Sequence, residues 1–91
     1  MKAYCIFSKK RPYADGMIEM VIWQLPAAVA ERPHGLKYRL VYIVAGKRRV
    51  GYDNEKGKGD HKHVDDSEIE YLFVNVDQLI ADFLTDVRSL S

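Results

Sequence analysis

Val76, Leu79, Ile80, Phe83, Leu84, Val87 and Leu90 recur at i, i+3, i+4, i+7, i+8, i+11 and i+14, which draws one apolar stripe along one side of a helix. A stripe of that kind has to be buried against another element, so the fold must supply a matching apolar face. Asn75 is placed to cap the first turn. Gln78, three residues on, can reach back to it, and Val74 can staple against Leu79, which sets the helix start near Val76. The opposite face carries Asp77, Asp82 and Asp86, and Arg88 near the end suits the helix dipole.

The rest of the chain has strand character. Residues 3–7, AYCIF, are mostly β-branched or aromatic, and Cys5 among them reads as a small buried hydrophobe. KKRPYADG then forms a basic turn, with Pro12 barring regular pairing and Asp15-Gly16 supplying a positive φ. Met17 to Leu25 is apolar on both alternating faces apart from Glu19 and Gln24, which suits a central strand with Trp23 in the core. Residues 26–35, with two prolines and no period, form a loop that leaves His34 exposed. In LKYRLVYIV, Tyr38, Leu40, Tyr42 and Val44 face one way while Lys37 and Arg39 face the other. Ala45-Gly46 turns the chain into KRRVGYDN, VDDSE is a polar turn, and Ile69, Tyr71 and Phe73 alternate as a last strand. The expected fold is α+β: one antiparallel sheet of about five strands in hairpin order, with the C-terminal helix across one face.

A chain of 91 residues buries only about 60 to 65% of its unfolded surface, so one domain spanning residues 1–91 is expected. The 47% hydrophobic and 30% charged shares are those of an ordinary globular protein rather than a disordered one. Cys5 is the single cysteine, which excludes an internal disulfide and suits a reducing cytoplasm. No apolar stretch approaches the roughly 20 residues of a membrane span, and MKAYCIFSKK lacks a signal core, so neither secretion nor membrane insertion is expected. Charge is divided unevenly along the chain: residues 1–63 sum to +7 and residues 64–91 to −6. The first part could face a polyanion and the second water or a basic partner.

The segment GYDNEKGKGDHKH, Gly51 to His63, packs three glycines, three carboxylates, three lysines and two of the three histidines into thirteen residues without one aliphatic side chain. Core packing does not account for it. If Asp60 to Val64 is extended, His61 and His63 share a face and Asp60 and Lys62 share the other. RNA cleavage by internal transfer needs a base for the 2′-hydroxyl, an acid for the leaving 5′-oxygen and a cation for the phosphate. Two imidazoles, with ordinary pKa near 6.5, supply the first two near neutral pH without a metal or other cofactor. Lys58 or Lys56, or Arg48 or Arg49 on the preceding strand, can hold the phosphate, and Asp60 or Asp53 can orient an imidazole.

Two other readings stand beside this one. His-x-His can supply two ligands of a divalent metal completed by Asp53, Asp60 or Glu55, and the whole segment can be a solvated hairpin tip. Tyr52 and Tyr71 flank it and suit either base stacking or half-buried sheet packing. Tyrosines interleaved with Arg and Lys along LKYRLVY and KRRVGY give a sheet face compatible with single-stranded RNA.

The run LKYRLVYIVAGKRRVGYDNEKGKGDHKH, the earlier EMVIWQLP, the YLF strand and the ending VDQLIADFLTDV together resemble the TumE family of bacterial toxin–antitoxin proteins, over nearly the whole chain. The resemblance implies the toxin half of a type II module, neutralised by direct contact with a helix-turn-helix antitoxin. It marks Tyr52, Asp53, Asn54, Gly57, Lys58, Gly59, Asp60, His61 and His63 as the functional core. Small toxins of this class usually act on RNA, in line with the paired-histidine reading, and a homodimer is compatible with both. A binder that blocks translation or another essential process by occupancy is the alternative.

Overall fold

Strict alternation decides where the core lies. On β2 (Gly16–Gln24), Ile18, Met20 and Ile22 are buried, and on β3 (Leu36–Val44) their register partners Tyr42, Leu40 and Tyr38 are buried with them. The computed structural model describes residues 3–26, 34–54 and 59–90. Within these, β1 (Tyr4–Tyr13), β2, β3, β4 (Lys47–Asp53), β5 (His61–Val64) and β6 (Ser67–Glu70) form one antiparallel sheet in chain order, and α1 (Val76–Ser89) follows. Val50 and Tyr52 of β4 extend the buried row, and Leu79, Phe83 and Val87 of α1 pack onto it, all with no exposed surface. Burial of each of the three helix side chains is worth about 1.5 to 3 kcal/mol.

The α+β class, the hairpin order and the C-terminal helix agree with expectation. The sheet has six strands instead of about five because HKHV pairs with both β4 and β6. The last strand is Ser67–Glu70, so Tyr71 and Phe73 lie beyond it, packed against the core on the way to α1. Asn75 caps α1 by accepting from the Gln78 backbone N–H at 2.8 Å, as expected. The Gln78 side chain instead donates to Asp82, and Val74 is 62% exposed and staples nothing.

Several local expectations are corrected. Pro12 sits in regular register with Met17, because β1 is an edge strand whose outer side needs no N–H. The first turn is Ala14-Asp15, with the positive φ on Ala14; Gly16 already belongs to β2. There a Cβ would stand 2.5 Å from the Ile43 carbonyl oxygen, so Gly16 serves close strand approach. Cys5 is exposed on the edge strand, not buried. Trp23 lies outside the core on the other face of the sheet, with Lys37 Nζ 5.5 Å above its ring.

That other face carries no helix among the described residues. Register partners share a face, so it presents two rows across the sheet. One runs Ser8, Val21, Arg39, Asp53, His61, Glu70; the other runs Lys10, Glu19, Val41, Gly51, His63, Glu68. Polar chemistry collects on this open face because the helix claims the apolar one.

Candidate active site on the open sheet face

His61 and His63 are two residues apart on β5, so their rings share the open face, in edge-to-face contact at 5.3 Å between centroids. Each meets a carboxylate from an adjacent strand. Nε2 of His61 lies 2.5 Å from Oδ1 of Asp53 on β4, and Nε2 of His63 lies 3.0 Å from Oε2 of Glu68 on β6. Nδ1 of His61 is 3.0 Å from the carbonyl oxygen of Gly59, which can only accept, so this nitrogen carries a hydrogen. Gly59 has φ +72°, a backbone that favours glycine and aims its carbonyl back at the ring. The Asp53 contact has the distance of an ion pair but not the alignment of a hydrogen bond, and Oδ1 is buried without a hydrogen-bond donor.

His61 is the better fixed of the two rings, its side chain 7% exposed against 18% for His63. Clefts open on both sides of the His61–Asp53 pair. One, of about 270 Å³, is lined by His61, Glu68, Ile69 and Glu70; the other, of about 130 Å³, by Lys37, Tyr38, Arg39, Asp53 and Asn54. The second cleft brings Lys37 and Arg39 beside Asp53. Arg48 adds a third cation, its side chain folded over Gly51, the register partner of His63. A Cβ at Gly51 would lie 2.8 Å from Arg48 Cδ, so the glycine makes room for that side chain.

The other residues marked by the sequence are placed elsewhere. Asp60 points to the helix side and accepts from Tyr38 Oη at 2.6 Å and from His34 Nε2 at 3.1 Å, so it orients neither His61 nor His63. His34 is correspondingly not a free loop histidine: Nδ1 accepts from the Leu36 N–H, and its ring lies 4.0 Å from that of Phe73. Tyr52 is fully buried, with its hydroxyl on Asp86, and so presents no face to a base. Tyr71 donates to Asp82 at 2.6 Å. Asp82 and Asp86 thus face the sheet, not solvent, and Asp86 also takes Lys62 at 3.1 Å.

Asn54 is a buried clamp, accepting from Tyr38 N–H at 3.0 Å and donating to the Leu36 carbonyl at 2.7 Å. Arg49 pairs with Asp65 at 2.5 Å across the β4–β5 end, which raises the guanidinium pKa and lowers that of the carboxyl, in each case mainly through the hydrogen bond. Burial first, and then the hydrogen bonds to Asp60, Asp86 and Asp82, push the Tyr38, Tyr52 and Tyr71 hydroxyls well above the ordinary tyrosine value. Gly57 and Lys58, with Glu55 and Lys56, lie outside the described residues.

Sequence reasoning missed Glu68 as a neighbour of His63 and Arg39 as the register partner of Asp53. The signal for Glu68 was the two-residue turn Asp65-Asp66, with Asp65 at φ +52°: a turn that tight puts position 63 opposite 68.

The family model described as Toxin TumE matches residues 6–91. The chain belongs to the TumE toxin family. Membership carries a toxin's role for this TumE chain and suggests an antitoxin as its partner. No curated protein and no solved structure was found to match it. Among the described residues, no helix is long and apolar enough to cross a membrane.

Proposed function

We propose that this TumE chain is the toxin of a type II module, held in check by a helix-turn-helix antitoxin, and that in the cytoplasm it cleaves RNA without a metal. The carrying observation is the pair of imidazoles on one open face, each with a carboxylate from a neighbouring strand. One ring takes the 2′-hydroxyl proton and the other protonates the 5′-oxygen as it leaves, their order unassigned. Asp53 and Glu68 hold the rings. Lys37, Arg39 and Arg48 share the face and suit phosphate, and Lys58 is assigned the same task from the glycine-rich segment. His63, the more exposed ring, is the one substrate meets first.

The alternative is a toxin that binds its target and blocks it by occupancy. It draws support from His61, which is 5% exposed and has both ring nitrogens already engaged. Purified protein incubated with labelled RNA separates the two. Cleavage that persists in chelator and is lost in a variant with His61 and His63 both changed to alanine supports the ribonuclease. Tight binding without products supports occupancy, and cleavage by the double variant removes the histidine mechanism.

A further inference from the structure

We propose that His61, His63 and Glu68 bind one divalent transition-metal ion of the zinc class. Two imidazoles and one carboxylate, with the fourth position left to water, form a donor set that zinc accepts in tetrahedral sites. One ligand atom from each of His61, His63 and Glu68 falls within a group no more than 4.8 Å across, and Asp53 Oδ1 lies 2.5 Å from the His61 nitrogen. Bonds of about 2.0 to 2.2 Å bring such atoms to within about 3.5 Å of one another, which side-chain torsions supply while the strands stay in place. The three donors stand on two adjacent strands joined by ladder hydrogen bonds.

The hydrogen-bond pattern of His61 points the same way. Its Nδ1 carries the hydrogen given to the Gly59 carbonyl, so in the neutral ring Nε2 bears the lone pair. A histidine that ligates through one nitrogen while donating from the other to a backbone carbonyl is the usual arrangement around a bound metal. Here the lone pair confronts Oδ1 of Asp53, the buried oxygen without a donor. Two electron-rich atoms so close need a cation beside them: a second proton on the ring, or a metal on its nitrogen.

On the ribonuclease reading, this ion consumes the lone pairs that proton transfer needs, so the zinc-loaded protein is the silent form. The binding claim does not depend on that reading. The test uses the full chain stripped with chelator, then titrated with zinc chloride by calorimetry and with Co²⁺ by visible absorption. One equivalent bound, with tetrahedral Co²⁺ bands, is expected. Glu68→Gln and His63→Ala should each raise the zinc Kd at least about tenfold, while His34→Gln, on the opposite face, leaves it unchanged. Absence of saturable binding, or binding as tight in Glu68→Gln and His63→Ala as in the unchanged protein, overturns the site. An RNA assay on the same samples reports separately. Cleavage by stripped protein that stops at one equivalent of zinc supports the silent form, and zinc that binds without slowing cleavage overturns it. No cleavage in either state sinks the ribonuclease reading and leaves the calorimetric result standing.

Discussion

Oδ1 of Asp53 lies 2.5 Å from Nε2 of His61 across the β4–β5 ladder, where the two residues are register partners. On the ribonuclease reading, this carboxylate positions this ring. Asp53→Asn keeps the side-chain shape and removes the charge. RNA cleavage and growth arrest on induction are expected to fall on the order of 100-fold, with the circular dichroism spectrum unchanged. A fully active Asp53→Asn variant would remove Asp53 from the mechanism.

Gly16 tests the fold away from the site. A methyl group there meets Ile43 O at 2.5 Å, Val44 Cγ2 at 2.7 Å and Tyr42 Cε1 at 2.8 Å, and the first of these is backbone. Gly16→Ala should cost about 1 to 3 kcal/mol, read as a lower urea midpoint. No change in the midpoint would mean that β2 and β3 are farther apart than described.

Tyr52→Phe asks whether this tyrosine serves packing or RNA. It loses the bond to Asp86, worth about 1 kcal/mol, but Asp86 keeps Lys62. Denaturant melts should register the loss, and RNA affinity should not move. Weaker RNA binding at unchanged stability would reinstate the stacking role.

Alkali should unfold the protein cooperatively. Burial and carboxylate acceptors raise Tyr38, Tyr52 and Tyr71 in the folded state, while in the unfolded chain each loses its proton at an ordinary value near 10. Their contribution is therefore intact below pH about 10 and is lost as pH climbs above it, because only the unfolded state gives up the protons. Tyrosinate absorbance should show a step coincident with loss of circular dichroism, and Tyr52→Phe should shrink that step. These hydroxyls ionising while the fold persists would contradict their burial.

At acid pH the Arg49–Asp65 pair acts in the opposite sense. The Asp65 carboxyl is lowered by Arg49, so its contribution is present above the unfolded carboxylate value and lost as pH falls through the folded one. Both side chains are about a third or more exposed, so salt should screen the effect. Asp65→Asn is expected to flatten the acid limb of a stability–pH curve measured at low ionic strength, and a limb unchanged by this substitution assigns that dependence elsewhere.

Periodicity carried much of this fold. The alternation of β3 and the stripe of α1 each had one reading, and the shared face of His61 and His63 followed from their spacing. What periodicity does not reveal is which strand lies next door. Asp60 and Asp53 looked equivalent as partners for an imidazole, yet parity sends Asp60 to Tyr38 and His34 on one face and brings Asp53 to His61 on the other. Asp82 and Asp86 flank the apolar stripe, and their inward role depends on tyrosine hydroxyls reaching up from the sheet. Pro12 signals a break only in a strand paired on both sides, and edge position is a property of the whole topology.

Asp86 grips Tyr52 and Lys62, the register pair that lies between Gly51–His63 and Asp53–His61 along the β4–β5 ladder, from the face opposite the histidines. The ribosome delivers those strands before it delivers the helix that bears Asp86. A nascent chain can therefore carry every histidine and carboxylate of the open face while its back brace is still unmade.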